Sequence, residues 1–487
     1  MAHTYQSAST VFVWLGEGNK EVLRFLTWVI RAAKVMPFIK WLPILDGYFD
    51  RFGDGIALLA ALTYWSRTWV FQEFLFAKRP VLIYDYDHFD VLILVKVIVH
   101  GFSHWVNVYS LMWLPGTDNI SQSFAAALQH LRLAQFMDDR QSEIDFIEWI
   151  DDIVLLGASK SSNPLDQVYG VHSLFSPEVR QQIPIDYNIS VTELYSLVTR
   201  LVVEHSRNLV ILGIVSARRR LQPNLPSWVL DLTGENYFTK VSTSFKKNVR
   251  KLQDHGVAAF YMFEANNVLH VKGRDLGTLK RIASTLDSDI HFAGCTDLEA
   301  SVYVSEQVTE HWKRLLHRLE FDESELASVY KSFSFMPHMP KPPGTYNVLD
   351  VEAYELELHA VEAKAAKSKN VKSNTRIKHP KVATWDDKLA AASALHFHTQ
   401  HAAFSISVSE VYSKEGEANS ILGFSTSEVQ VGDRIVSILG CNAVLVLRSE
   451  GDHDIIVGSA MVPGFDKMEA VKGLEPSSEL LRDYFIK

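Results

Sequence analysis

The sequence is poor in cysteine: 487 residues carry only Cys295 and Cys441. Two cysteines supply neither a disulfide framework nor a Cys-rich zinc site, so a reducing compartment, the cytoplasm, is the expected location. Long apolar runs are also scarce. The best, Val91 to Val99, is interrupted by Lys96, and Phe25–Leu45 carries Arg31, Lys34 and Lys40. A helix that spans a bilayer needs about 20 mostly apolar residues, so no membrane span is expected. Residues 1–7 show no basic stretch followed by an apolar one, as a secretory signal would. Positive charge is not in excess either. The net charge is −9, which argues against a nucleic-acid partner.

Several chemical signatures are missing as well. There is no G-x-x-x-x-G-K-[ST] phosphate loop and no G-x-S-x-G nucleophile elbow. Gly16-Glu17-Gly18 supplies only the start of a dinucleotide-binding fingerprint. His396, His398 and His401 form an H-x-H-x-x-H group, but no cysteine or carboxylate lies within a few residues to complete a metal site. No metal and no cofactor are therefore expected.

What is present is a rich supply of core-forming residues: 47% hydrophobic, 11% aromatic, with 11 tryptophans. That composition suits a folded chain of two or three domains. Thr10–Leu15 is a continuous apolar run of β-branched and aromatic residues, the pattern of a strand buried on both faces of a parallel sheet. Gly16–Asn19 reads as a turn with Asn19 as helix cap, and residues 1–9 as a short helix. Val22, Leu23, Leu26, Val29, Ile30 and Ala33 then recur at helical spacing. Strand, glycine turn and helix make half of a βα unit.

The densest stretch is Tyr64-Trp65-Ser66-Arg67-Thr68-Trp69-Val70-Phe71-Gln72-Glu73. On a helix Trp69 and Glu73 share a face, with Gln72 alongside. Tryptophans next to a guanidinium and a carboxylate are costly to bury unless the polar groups pair. Trp69 is therefore expected in the core, and Arg67 or Glu73 with a partner. Arg79–Tyr86 reads as a strand and 87–150 as mostly helical. Asp166 is placed to cap a helix that puts Val168 and Tyr169 in the core, and Ser190 with Glu193 forms a capping box. Val191, Leu194, Tyr195, Val198, Leu201 and Val202 line one helical face. Residues 258–283 turn to strand periodicity, with Val268–Gly273 alternating and ending at its glycine. Helical segments are expected to about 333. Prolines from 337 to 343 mark a break, followed by an acidic-then-basic stretch that reads as a solvated linker. Three strands are expected within Gly432–Gly440, Val444–Arg448 and Asp454–Val462.

Trp65, Arg67, Trp69, Gln72 and Glu73 make a W-x-R-x-W-x-x-Q-E pattern that resembles the signature of the fungal heterokaryon-incompatibility (HET) domain. The same residues also read as plain core with one ion pair. Met1, Tyr5, Ala8 and Val13-Trp14-Leu15-Gly16 resemble the family's M-x-x-I-Y-x-x-A-x-x-V-x-V-W-L-G segment. Further matches follow in order. Asn163 to Gly170, with Pro164, Asp166 and Tyr169, is similar to a D-P-R-D-K-I-Y element, Leu165 standing where the family has arginine. Asp186 and Tyr187 resemble a P-D-Y-x-x-S-x-x-E-x-Y stretch, and Trp228 and Asp231 an L-P-S-W-x-x-D stretch. Gly432, Asp433, Arg448 and Gly458 lie on a pattern similar to a small β module found near the C-terminal end of such proteins.

The resemblance implies an α/β fold: a partial parallel, TIR-like N-terminal piece, a mainly helical middle and a small β-rich C-terminal module. The divisions it suggests are 1–85 for the C-terminal part of the HET domain, 86–235 helical and 236–345 mixed α/β. A charged linker at 346–383 and the β module at 384–475 complete them. Family motifs that would precede Met1, a W-G strand and a W-I-D-x-x-C-I-N-Q-like strand, do not occur. The resemblance thus implies a HET domain shorn of its first part, by truncation or a misplaced reading-frame start. The implied function is non-self recognition coupled to programmed cell death, acting through other proteins of the incompatibility system. The alternative it implies is a TIR-like NAD-cleaving enzyme using a glutamate, for which Glu73 and Glu17 are the candidates. The chain alone is expected neither to cleave NAD nor to trigger death.

Overall fold

The computed structural model describes residues 2–35, 58–59, 62, 64, 67–69, 73, 76–90, 161–216, 218–236, 252, 258–283, 319, 401–408, 420–426, 428–462 and 470–487. Helices and sheets of both parallel and antiparallel pairing are mixed, an α/β chain at the coarse level. Contacts divide it into two compact units. The first comprises 1–275, 435–459 and 467–487, the second 276–434 and 460–466. These units are drawn differently from the five sequence divisions, because strands from the end of the chain join the first unit.

The first unit opens with α1 (Ala2–Ser7), β1 (Val11–Trp14) and α2 (Lys20–Val35). The side chain of Asn19 accepts the Glu21 amide at 2.8 Å and so starts α2, as a cap should. The stripe that α2 buries is Val22, Phe25, Leu26 and Val29; Leu23 and Ile30, expected on it, are only half-buried, and Phe25, not expected there, is in the core. β2 (Pro80–Tyr84) runs parallel to β1, with Val13 opposite Leu82, and β3 (Asp87–Asp90) folds back antiparallel on β2. The β2–β3 turn places Asp85 at φ 57. Two expectations are corrected here. β3 occupies the start of a stretch read as mostly helical; the rest of that stretch, 91–150, lies outside the described residues. And β1 is not buried on both faces: Val13 is 1% exposed, but Phe12 is 63% and Trp14 56%. The apolar run satisfies a both-faces pattern in sequence, yet only one face of this sheet is covered.

The core of the unit is built by helices and late strands together. α3 (Asp166–Tyr169), α4 (Pro177–Gln182), α5 (Val191–Ser206) and α6 (Val210–Val215) supply its helical part, the largest share coming from α5 and α6. The short strands β4 (Arg218–Arg219) and β5 (Glu235–Asn236) bracket the Trp228 loop. β6 (Tyr261–Phe263) pairs antiparallel with the start of β7 (Leu269–Ala283). The later strands are β8 (His401–Val408), β9 (Ser420–Thr426), β10 (Arg434–Ile438), β11 (Val444–Glu450), β12 (His453–Met461) and β13 (Arg482–Ile486). Within the first unit β10, β11 and β12 follow one another side by side, β13 pairs parallel with β12, and β13 pairs antiparallel with Leu269–Gly273. Val436, Ile438, Leu445, Leu447, Ile456, Tyr484 and Ile486 pack in one cluster with Val198, Val202, Ile211 and Trp228.

Three further corrections belong to this region. The strand that was expected to stop at Gly273 continues to Ala283. Gly273 is required instead by close packing, since a Cβ there would sit 2.8 Å from both the Ser437 carbonyl oxygen and the Ile438 Cδ1. β13 lies beyond residue 475, where the β region was expected to end; Tyr484 and Ile486 are buried, and alternate with exposed Phe485. Asp166 is the first residue of α3, not its cap. The Leu165 amide is held by the Asn163 side chain at 3.1 Å.

In the second unit β7 pairs antiparallel with β8 from Gly277 to Ala283, with a bulge between Leu279 and Arg281, and β8 pairs antiparallel with β9. Ala460 and Met461 pair antiparallel with Ser425 and Phe424. The helices expected between 284 and 333, apart from Leu319, and the linker at 346–383 lie outside the described residues.

Candidate functional site

The carboxylate of Glu73 is the centre of the signature stretch. The Glu73 amide donates to the Trp69 carbonyl at 3.4 Å, one helical turn back, but Arg67 forms a bridge and Thr68 and Trp69 a turn, so among the described residues the α-helix expected through this stretch is seen only at Glu73. The Tyr64 hydroxyl donates to Glu73 Oε2 at 2.8 Å. Tyr5 of α1 also hydrogen-bonds Glu73. Burial first, and then the Glu73 charge and hydrogen bond, push the Tyr64 hydroxyl pKa up, and the same causes act on Tyr5. The exposed Arg67 guanidinium opposes both shifts and so lies within electrostatic reach. Both tyrosines are therefore firm donors at neutral pH, and Glu73 is the acceptor between them. This places the expected polar partner on Glu73. Trp69, expected in the core, is only partly buried; Thr68 beside it is fully buried. Trp65 and Gln72 lie outside the described residues.

Thr68 links this cluster to the next motif. A Cβ on Gly170 would meet the Thr68 methyl at 2.7 Å, so the Thr68 side chain packs against this backbone only because residue 170 is glycine. Beyond Gly170 the motif residues form one network. The Tyr169 hydroxyl donates to the Asp186 carbonyl at 2.9 Å and accepts the Asp186 amide at 3.2 Å. The Tyr187 hydroxyl donates to Asp166 Oδ1 at 2.8 Å, and the rings of Tyr169 and Tyr187 meet edge to face at 5.1 Å. Desolvation, then Asp166, push the Tyr187 hydroxyl up to about 12. Asp186 Oδ1 accepts the Asn188 amide and closes the turn before α5. Tyr195 donates to the Pro164 carbonyl at 2.8 Å, and Leu165, where the family has arginine, is buried.

Trp228 is wholly buried and its indole N–H donates to the Asn267 carbonyl at 2.7 Å. Asp231, also buried, accepts the amides of Leu221, Gln222 and Thr233 and the Thr233 hydroxyl. Its four acceptor sites are thereby filled. Arg448 and Gly458 lie on β11 and β12. In the second unit Gly432, at φ 96, and buried Asp433 make a turn in which the Asp433 carboxylate accepts the Gln430 amide at 2.7 Å. Every one of these carboxylates shapes a turn or joins two segments.

Glu17, the other candidate, is exposed in the loop that follows β1. A Cβ on its neighbour Gly18 would meet Asp85 Oδ2 at 2.9 Å, so Asp85, after β2, stands against this loop. The Tyr84 hydroxyl accepts the Asn19 amide of the same loop at 2.7 Å. The sequence offered no signal for Asp85, which is 67 residues from Gly18, nor for the bond from Tyr5 to Glu73. Tyr64 was legible as part of the signature but not as its hydrogen-bond donor. Gly16, at φ 112, makes the turn out of β1.

Cys441 is buried, and desolvation pushes its thiol up to about 12, far from a reactive thiolate. His401 opens β8, while Cys295, His396 and His398 lie outside the described residues. Among the described residues no group of three or more His, Cys, Asp and Glu is placed to hold a metal ion, and no helix is long and apolar enough to cross a membrane. No family model, no curated protein and no solved structure matches this chain.

Proposed function

We propose that this chain is a HET-domain protein of fungal non-self recognition, acting in the cytoplasm through protein interactions that lead to programmed cell death. The reading rests on the signature residues and on one observation about them. The Glu73 carboxylate is shared between the Tyr64 and Tyr5 hydroxyls, so it joins the signature stretch to α1. A carboxylate that stabilises a developing positive charge on a ribose needs a free oxygen facing a pocket. Glu73 is half-buried and engaged, the position of a scaffold group. The other motif carboxylates, Asp186, Asp231 and Asp433, are likewise committed to backbone amides. Such a scaffold supports recognition more readily than bond cleavage.

A TIR-like, glutamate-dependent NAD-cleaving enzyme is the second reading. One observation favours it: Glu17 lies in the loop at the carboxyl end of β1, beside Asp85 after β2, and open α/β sheets bind ligands at that end. One experiment separates the two. Fungal strains expressing the chain are paired with strains lacking it, fusion cells are scored for death by dye uptake, and the purified chain is incubated with NAD. The first reading expects dying fusion cells in some pairings and intact NAD. Stable fusion in every pairing counts against it. NAD loss that Glu17→Gln abolishes and Glu73→Gln leaves unchanged selects the second.

A further inference from the structure

Among the described residues β1 is the outer strand of its sheet, with β2 on one side only. The amides of Val11 and Leu15 donate toward β2, to the carbonyls of Arg79 and Ile83. Backbone groups alternate sides along an extended strand, so the N–H and C=O of Phe12 and Trp14 point to the open side. The same two residues carry the exposed aromatic side chains, 63% and 56% accessible, on one face of the sheet. From Met1 to Gly16 there is no Asp, Glu, Lys, Arg or Pro. Natural edge strands use charge, proline or bulges to block pairing, and β1 has none of these devices.

We infer that the open edge of β1 pairs antiparallel with β1 of a second copy of this chain, about a twofold axis at Val13. That axis sets Phe12 opposite the partner's Trp14, and Trp14 opposite the partner's Phe12. These are the residues whose backbone groups face outward, so each pair exchanges both of its hydrogen bonds. The aromatic rings fall directly across from one another on one face, where such pairs add to the burial of their area. Centring the axis on Phe12 or on Trp14 also matches outward groups, but it leaves one aromatic opposite Thr10 or Gly16. The spacing of the two aromatics about Val13 thus selects both the register and the identity of the partner. An edge without charge meets no repulsion from its own copy, and offers no complement to a charged surface.

The test is sedimentation velocity of the full chain from about 1 to 100 μM, the range in which modest interfaces form. Self-association is expected. Trp14→Lys and Phe12→Lys each place an ammonium on this aromatic edge and are expected to weaken it at least about tenfold, with the thermal midpoint in dilute solution unchanged because both side chains are exposed. The register is read by cysteine pairing in a Cys295→Ser background. Opposite residues of a hydrogen-bonded antiparallel pair have Cα atoms about 5.5 Å apart, within disulfide reach. Phe12→Cys mixed with Trp14→Cys is therefore expected to give a covalent dimer, and either variant alone is not. A monomer at every concentration overturns the inference. So does self-association that both lysine variants leave intact, or cross-linking that is no greater in the mixed sample than in either unmixed one.

Discussion

The cluster around Trp228 and the sheet around Trp14 sit in the same compact unit and treat a tryptophan in opposite ways. Trp228 is wholly buried, its N–H is bonded, and its flanking loop is tied down by Asp231 and by the Ser227 hydroxyl, which accepts the Ile456 amide at 2.9 Å. Thr199, also buried, accepts the Leu230 amide at 3.0 Å and donates to the Tyr195 carbonyl. Trp14 stands on a strand with one covered face and one open one. The lesson is that aromatic residues of equal prominence in sequence divide into those that close a core and those that a core leaves facing outward. Membership of a motif does not distinguish them.

Trp228→Ala is expected to cost the most. It removes a fully buried indole and leaves the Asn267 carbonyl without its donor, so a loss of about 3–5 kcal/mol is expected in a denaturant titration. A loss no larger than that of Trp14→Ala would erase the distinction between the two regions. Tyr64→Phe comes next. It deletes the donor to a half-buried carboxylate, and a hydrogen bond to a charged group contributes about 1.5–3 kcal/mol. Because Tyr5 shares Glu73, the double variant Tyr5→Phe/Tyr64→Phe is expected to lose more than the two single losses added, which a double-mutant cycle measures.

Ser190→Ala is a smaller test on the closed side. Ser190 Oγ accepts the Glu193 amide at 3.2 Å while the Glu193 carboxylate accepts the Ser190 amide, so loss of the cap is expected to cost about 1 kcal/mol. The hydrogen bonds from the Ser190 side chain and backbone hold the Glu193 carboxyl below its ordinary value. A lowered carboxylate pKa contributes stability above the unfolded-state value, and that contribution is lost as pH falls through the folded one. The difference between wild type and Ser190→Ala is thus expected to shrink in acid, read from midpoints at pH 7 and below pH 4. The smallest effect belongs to the open side. Trp14→Ala in dilute solution is expected within about 0.5 kcal/mol of wild type, as at other exposed positions.

Much of the local architecture was legible from the chain. The strand at Val11–Trp14, the Asn19 cap and the buried stripe of α2 follow from patterns only a few residues long. So do the capping box of α5 and the strands at 434–438, 444–450 and 453–461. Local sequence reports such features because the atoms that stabilise them are neighbours along the chain. The candidate site was legible in part: the stretch ending at Glu73 stood out, and the need for a polar partner followed from the cost of a lone buried charge. Which partner it took was not legible, since Tyr5 lies 68 residues upstream.

The sequence by itself determined the periodicities, the caps, the turns and the small stock of cysteine and unbroken apolar runs. Tertiary structure decided what those elements face. Gly273 reads locally as the end of a strand, and only the approach of Ser437 and Ile438 makes it a contact point in the middle of one. Asp166 reads locally as a cap, and only the arrival of Tyr187 makes it a hydrogen-bond acceptor across a turn. Phe12 and Trp14 read locally as buried, because an apolar run carries no record of how many faces its sheet will have covered. Burial is a property of the neighbours a residue acquires, and for these positions the neighbours come from tens to hundreds of residues away.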